Sequence, residues 1–139
     1  MADQIDPSES FAVSLGLHED FIVARASGDL DYHHAGLFHK QVKEAWEAAQ
    51  PAALILDLSE ITFCDSMGVG VLVMLLNQSR EQDSPLVLTG VPPHLGRILT
   101  ITGLRAAFLV EPTLDDAIEA ARKGPVPGQR PQSEDTASA

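Results

Sequence analysis

The chain has 139 residues, of which 45% are hydrophobic and 21% charged, a composition ordinary for one soluble globular domain. Its 20 acidic residues outnumber 9 basic ones, and the resulting net charge of −11 argues against nucleic acid or an anionic membrane as the main ligand. A lone cysteine, no apolar stretch of the ~18 residues needed to span a bilayer, and an acidic start without signal-peptide character together predict a cytoplasmic protein.

The first predicted elements are a β-hairpin and a helix. Alternating apolar residues predict a strand over Phe11–Leu17, and Phe21–Ala26 is its expected partner across a polar turn. Residues 28–31 are expected to break the second strand, with Asp31 as the N-cap of a helix that runs to about Gln50. The apolar face of this helix comprises Ala35, Phe38, Val42, Ala45, Trp46 and Ala49.

Strands and helices then alternate to the end of the predicted domain. The near-continuous apolar run Ala53–Leu58 predicts a central strand covered on both faces. The elements expected after it are a helix at Ser66–Glu81, a strand at Leu86–Thr89, a helix at Pro92–Thr102, a strand at Ala107–Val110 and a helix at Thr113–Ala121. This order predicts an α/β fold with a mixed sheet of four to five strands and about four helices.

Composition also divides the chain. Residues 1–9 are polar and are expected to be flexible, whereas 10–123 carry the periodic apolar pattern of one folded domain. Residues 124–139 are rich in Pro, Gly and Ser and lack apolar periodicity, which predicts a disordered tail.

The junction at 54–76 is the most informative segment, because a predicted strand, a short loop and a predicted helix follow one another there. Ser66 falls in the first turn of the helix, where unpaired N–H groups and the positive end of the helix dipole accommodate a phosphate. Taken alone, this serine is more simply explained as an N-cap.

The helix after Ser66 carries two apolar stripes. One is the expected core face, which comprises Val69, Leu72, Val73 and Leu76. The other, roughly opposite, comprises Met67, Val71 and Met74. Either a neighbouring helix covers this second stripe, or it forms a docking surface beside Ser66, to which methionine is well suited.

Two glycines interrupt the same helix near its start. Gly68 and Gly70 each cost about 1 kcal/mol relative to alanine in a helix interior. Close approach of another backbone or of a bulky partner would offset this cost, and a flexible helix start is the alternative.

Three stretches resemble the STAS domain family, specifically the bacterial anti-sigma factor antagonists. They are SGDLDYHHA at 27–35, LDLSEITFCDSMGVGVL at 56–72 and ILTITGLRAAFLVEPTLDDAIEA at 98–120. The second is the most specific, since it is similar to the Asp-Ser-x-Gly phosphoserine motif of the family. The sequence departs from many members at Met67, where they carry a second Ser or Thr.

The resemblance implies a binding protein that acts by partner switching and is not an enzyme. The unphosphorylated antagonist binds an anti-sigma factor that is also a serine kinase, and so frees a sigma factor. Phosphorylation abolishes binding, and a metal-dependent serine phosphatase restores the unmodified form. The resemblance implies no cofactor or metal of the antagonist itself and leaves a weak homodimer open.

The residues expected to carry this function lie in two of the three stretches, except Met74, which follows the second stretch by two residues. Ser66 is the predicted phosphorylation site, and the resemblance places Asp29 and Asp31 in the segment that contacts the kinase. The further predicted partner-binding residues are Asp65, Met67, Gly68, Val71 and Met74.

The same residues leave alternative functions open. A serine hydrolase is disfavoured, because Cys64 occupies the first glycine position of the Gly-x-Ser-x-Gly elbow. A STAS module of another system, associated with transport or with a stress-signalling scaffold, is the second candidate. Asp57 is interpreted as structural and Cys64 as a small buried hydrophobic residue. The three histidines of the first helix, His33, His34 and His39, are expected at the surface.

Overall fold

A five-stranded mixed β-sheet forms the centre of the computed structural model, which describes residues 11–124. The strands are β1 (Phe11–His18), β2 (Phe21–Leu30), β3 (Ala53–Cys64), β4 (Leu86–Thr89) and β5 (Leu109–Glu111). The helices are α1 (Ala35–Ala49), α2 (Ser66–Gln82), α3 (Pro93–Ile101) and α4 (Leu114–Arg122), with a 3-10 turn at Leu104–Ala107. The strands lie side by side in chain order; β1 is antiparallel to β2, and β2 to β5 are parallel. The predicted α/β class with a mixed sheet is confirmed.

Alternation along β3 divides the core into two layers. Leu54, Leu56 and Leu58 pack with residues of α1, α2 and α3, whereas Ala53 and Ile55 pack with residues of α4. All five side chains are fully buried, as expected for a central strand covered on both faces. The predicted flexible segment 1–9 and most of the predicted tail at 124–139 lie outside the described residues.

The first helix begins later than the sequence indicates. Residues 31–34 form a turn in which the Asp31 carbonyl accepts hydrogen bonds from the backbone N–H groups of His34 and Ala35, and α1 starts at Ala35. The prediction that Asp31 caps this helix is therefore wrong, because its carboxylate accepts from the His33 N–H inside the turn. The buried face of α1 comprises Ala35, Phe38, Val42 and Trp46, while Ala49 is exposed.

Strands β2 and β3 both run further than predicted. The expected break of β2 at residues 28–31 does not occur. Register shifts beside Ser27 and Gly28 let β2 pair with β3 as far as Leu30, which lies opposite Cys64. The loop expected after Leu58 is the second half of β3, in which only Ile61 and Cys64 are buried. Both strands end at one edge of the sheet, where α1 and α2 begin.

The later elements follow their local signals closely. Strand β4 has the predicted bounds, and Thr113 caps α4 by accepting from the Asp116 N–H at 3.1 Å. The final strand starts at Leu109 because the residues before it form the 3-10 turn. Within residues 11–124, no helix is both long and apolar enough to cross a bilayer.

Candidate functional site at the start of helix α2

Ser66 is the first residue of α2 and is exposed to solvent. It follows β3 after one intervening residue, so the sheet fixes where the helix starts. The alternative in which Ser66 serves only as the N-cap is wrong, because Asp65 holds that position. The serine hydroxyl is therefore presented to the outside at a helix N-terminus, a setting that stabilises an added negative charge.

Asp65 connects three backbone segments. Its Oδ1 accepts from the N–H groups of Met67 at 2.9 Å and Gly68 at 3.0 Å, which caps the helix. Its Oδ2 accepts from the Tyr32 N–H at 3.0 Å, and its own N–H donates to the Leu30 carbonyl at 3.3 Å. The carboxylate predicted to bind a partner is thus already engaged in holding the serine helix against the end of β2.

Asp29 and Asp31 lie beside this junction. The Asp29 carboxylate accepts from the Thr62 hydroxyl at 2.7 Å, which ties the end of β2 to β3. The Asp31 carboxylate lies 3.0 Å from the His34 Nδ1, and only 15% of the Asp31 side chain is exposed. The fold brings these two residues together with Asp65 and Ser66 at one edge of the sheet and gives this edge an acidic character.

The second stripe of α2 is exposed only at its two methionines. Met67 is 57% exposed and Met74 is 45% exposed. Val71, predicted between them as a partner contact, is 6% exposed and belongs to the main core, since α2 packs against α1 as well as against the sheet. The docking prediction is therefore corrected at Val71, which is buried in the core.

Gly68 is also buried, and the reason is a close approach within the chain. A Cβ at this position would lie 2.4 Å from the Leu30 carbonyl oxygen and 2.7 Å from the Cys64 Sγ. This confirms the expected approach of another backbone, but it means that Gly68 packs against β2 and is not available to a partner. Gly70 is exposed, and a Cβ there would meet nothing within 4 Å.

Two exposed aromatic residues flank the site and were not predicted from the sequence. Tyr32 is 67% exposed in the turn before α1, and Phe63 is 49% exposed near the end of β3. The signal for Phe63 was available in its position before Cys64, because neighbouring strand residues point to opposite faces. It was missed because β3 was expected to end before this point. Tyr32 carried no such periodic signal.

The cysteine and the histidines near the site differ in exposure. Burial raises the pKa of the Cys64 thiol to about 12, with the Asp65 charge contributing, so this cysteine is a buried thiol as expected. Of the three histidines predicted at the surface, His33 is exposed, whereas His34 and His39 are only partly exposed. Among residues 11–124, no group of three His, Cys, Asp or Glu side chains is arranged to hold a metal ion.

Comparison with known sequences gives the family. The profile of the STAS domain matches residues 13–117. An anti-sigma F factor antagonist of Paenibacillus polymyxa is 28% identical over 103 residues, which cover 74% of this chain and 86% of the relative. An anti-sigma-B factor antagonist of Listeria monocytogenes is 36% identical over 87 residues, covering 63% of this chain and 73% of the relative.

Comparison with solved structures agrees. An anti-sigma factor antagonist from Mycobacterium paratuberculosis superposes with a TM-score of 0.75 at 28% identity, covering 81% of this chain and 95% of that one. The Bacillus cell fate determinant SpoIIAA in the phosphorylated form shares the fold, with a TM-score of 0.64 at 21% identity, covering 80% of this chain and all of that one. Because the matched profile spans most of the chain and the observed sheet agrees with the fold of these structures, this protein belongs to the STAS domain family.

Proposed function

We propose that this protein is an anti-sigma factor antagonist that works by phosphorylation-controlled partner switching. In this proposal the unphosphorylated form binds an anti-sigma factor serine kinase and releases a sigma factor, and phosphorylation of Ser66 abolishes that binding. The observation that supports it most is the exposure of Ser66 at the start of α2, within the segment similar to the family's phosphoserine motif. The names of the Paenibacillus and Listeria relatives support the same conclusion.

The surroundings of Ser66 suit a protein interface that can be switched. Exposed Tyr32 and Met67 supply apolar and aromatic area next to the serine, of the kind that dominates protein interfaces. The Asp65 cap joins the segments that carry these side chains, so a partner would meet a surface already ordered. Ser66 is then a substrate of the kinase and not a nucleophile.

The charge of a phosphate explains how one added group can cause the complex to dissociate. A phosphate adds about −1.5 to −2 charges and three acceptor oxygens at neutral pH. At Ser66 this charge would stand next to Asp65 on a chain of net charge −11. Burying the dianion in an interface without a cationic partner costs several kcal/mol. Because 1.4 kcal/mol changes affinity about tenfold, binding can be lost while both proteins stay folded.

The test is binding of the full chain to candidate anti-sigma kinases of its source genome, with and without ATP. We expect the wild type to bind without hydrolysable ATP and to be released with it, and mass spectrometry to place the phosphate on Ser66. Ser66→Ala is expected to stay bound in both conditions, and Ser66→Asp to bind about tenfold or more weakly. Incubation of the phosphorylated protein with a metal-dependent serine phosphatase is expected to restore binding.

An exposed serine elsewhere supplies the matched control. Ser14→Ala on strand β1 removes a hydroxyl at a distance from α2 and is expected to behave as the wild type. Equal affinities of the Ser66→Ala and Ser66→Asp variants, or phosphate mapped only to another residue, would contradict the proposal.

A further inference from the structure

The His34 side chain turns back toward the acidic segment that precedes it. Its Nδ1 lies 2.8 Å from the Asp29 carbonyl oxygen and 3.0 Å from the Asp31 Oδ1. Only 15% of the side chain is exposed, although it sits in a surface turn. A histidine that the sequence suggested was an ordinary surface residue thus contacts both aspartates expected to meet a partner.

The two contacts assign the His34 Nδ1 as a hydrogen-bond donor. A backbone carbonyl and a carboxylate both act only as acceptors, so the His34 Nδ1 must carry the hydrogen that points to them. The Asp31 carboxylate also accepts from the His33 N–H at 3.0 Å. The Asp31 side chain is therefore held from two directions, and the Asp29 carbonyl is held in place by the same imidazole.

One face of the imidazole ring packs against the hydrophobic core. The His34 ring stacks on Phe11, with centroids 5.1 Å apart and planes inclined by 12°. Phe11 in turn meets the fully buried Phe38 edge-on at 6.0 Å. A ring held in this way has little rotational freedom, so its N–H is a fixed donor and not a mobile one.

The helix that begins after His34 does not use this side chain. His34 stands at the N-cap position of α1, yet its side chain makes no capping hydrogen bond to the helix. A histidine present only to start the helix would have its polar group directed at the N–H groups of the first turn. The two Nδ1 contacts described above are instead with the segment 29–31.

We propose that His34 is a positioning residue for partner docking, which holds Asp29 and Asp31 in the conformation that the partner recognises. This inference rests on the proposed function and adds to it a residue that none of the sequence motifs assigned. Without the Nδ1 donor, the Asp29 carbonyl and the Asp31 carboxylate form hydrogen bonds with water and residues 29–31 become less ordered. These residues must then adopt the recognised conformation when the partner binds. That ordering opposes association and lowers affinity.

Two substitutions separate the donor from the ring. His34→Phe keeps the aromatic stack on Phe11 and removes the donor, while His34→Asn places an amide N–H near the position of Nδ1 and removes the stack. Affinity for the kinase without ATP is measured by titration calorimetry, and stability by urea unfolding. We expect His34→Phe to bind about tenfold more weakly at near wild-type stability, and His34→Asn to bind within about threefold of wild type despite lower stability.

Amide hydrogen exchange supplies a readout that does not involve the partner. The N–H groups of His34 and Ala35, which donate to the Asp31 carbonyl, are expected to exchange faster in His34→Phe. The amide of Leu72 in the buried part of α2 is expected to be unchanged and serves as the internal control.

The outcomes distinguish this inference from the proposed function. If the wild type binds no anti-sigma kinase, the proposed function fails and the inference fails with it. If the wild type binds and His34→Phe binds equally well, only the inference is overturned. The inference is also overturned if the affinities of both variants for the kinase fall in proportion to their free energies of unfolding. Should His34→Phe fail to fold, His34→Asn decides, since retained affinity supports the role of the donor and lost affinity rejects it.

Discussion

The Asp65 carboxylate joins the first turn of α2 to the Tyr32 backbone, 33 residues earlier in the chain. One of its oxygens caps the helix and the other accepts the Tyr32 N–H at 3.0 Å. The turn before α1 and the segment that presents Ser66 are thereby held as one unit. If these two segments form a docking surface as proposed, this connection means that neither has to be ordered when a partner binds.

Removal of this carboxylate is expected to destabilise the fold. Asp65→Ala leaves the N–H groups of Met67, Gly68 and Tyr32 without their acceptor, and we expect the free energy of unfolding to fall by about 2–3 kcal/mol. Asp65→Asn keeps one acceptor oxygen for the cap, so its free energy of unfolding is expected to fall by less. Urea unfolding measures both. A loss below about 0.5 kcal/mol for Asp65→Ala would show that water replaces the carboxylate.

Alanine at the two helix glycines is expected to have opposite effects on stability. At Gly68 the new Cβ meets the Leu30 carbonyl at 2.4 Å, so Gly68→Ala is expected to lower the free energy of unfolding by about 1–3 kcal/mol. At Gly70 the Cβ meets nothing, and Gly70→Ala is expected to raise it by up to about 1 kcal/mol. Parallel urea titrations of the two variants test this, and the same sign for both would reject the structural explanation.

The Gly70→Ala variant also tests whether a partner approaches α2 closely. Gly70 lies one turn after Ser66 on the same side of α2, and nothing within the chain requires a glycine there. If the partner backbone passes over this turn, Gly70→Ala is expected to bind the kinase about tenfold more weakly although it is more stable. Titration calorimetry without ATP measures the affinity. Unchanged affinity would leave the glycine unexplained by docking.

Local patterns were sufficient to predict most of the fold. The apolar run at Leu54–Leu56 and the exact bounds of β4 follow from buried side chains that no polar residue interrupts. The second half of β3 could not be predicted in this way. Its pairing with β2 depends on register shifts beside Ser27 and Gly28, and such shifts come from tertiary contacts and not from a two-residue period.

The site was predictable where it depended on neighbours in sequence and not where it depended on distant ones. Ser66 and its capping neighbour Asp65 are adjacent, and the resemblance to a known motif drew attention to both. The bond from Tyr32 to Asp65 and the burial of Val71 arise from segments far apart in the chain. A helical wheel shows which residues share a face of α2, but it does not show which of them the rest of the fold buries.

Lysine substitutions on α2 test the proposal that Met67 and Met74 contact a partner. Met67 and Met74 are exposed, so the double variant Met67→Lys, Met74→Lys is expected to unfold within about 1 kcal/mol of wild type. Its affinity for the kinase is expected to fall below detection by calorimetry, because two charges enter an apolar contact. An insoluble or molten product, or unchanged binding, would contradict this assignment.

Val71 supplies the matched comparison on the same helix. It is buried, and Val71→Ala is expected to lower the free energy of unfolding by about 2 kcal/mol through the cavity that it leaves. Its affinity for the kinase, measured where the variant is fully folded, is expected to stay near that of wild type. A strong loss of binding at normal stability would return Val71 to the docking surface.

Asp57 is a buried carboxylate of strand β3 that accepts three hydrogen bonds. Its Oδ1 accepts from the Ser59 N–H at 3.0 Å and the Ser59 hydroxyl at 2.7 Å, and its Oδ2 accepts from the Arg25 Nε at 3.0 Å. Burial alone would raise the pKa of Asp57, but these hydrogen bonds and the Arg25 charge outweigh it and hold the pKa below the ordinary value of 3.8.

This lowered pKa predicts a loss of stability in acid. The unfolded chain takes up the Asp57 proton at a higher pH than the folded chain, so the stabilisation is complete above about pH 4 and disappears as pH falls through the folded pKa. Asp57→Asn is expected to lower the free energy of unfolding by about 1–3 kcal/mol at pH 7 and to flatten its decline below about pH 4. Urea unfolding at a series of pH values measures the decline, with the exposed Glu44→Gln as control.

The contradicting outcome is a free energy of unfolding that depends on pH in Asp57→Asn as it does in wild type, down to about pH 2. The donors around Asp57 would then not be what lowers its pKa, and its stabilising role would be packing alone.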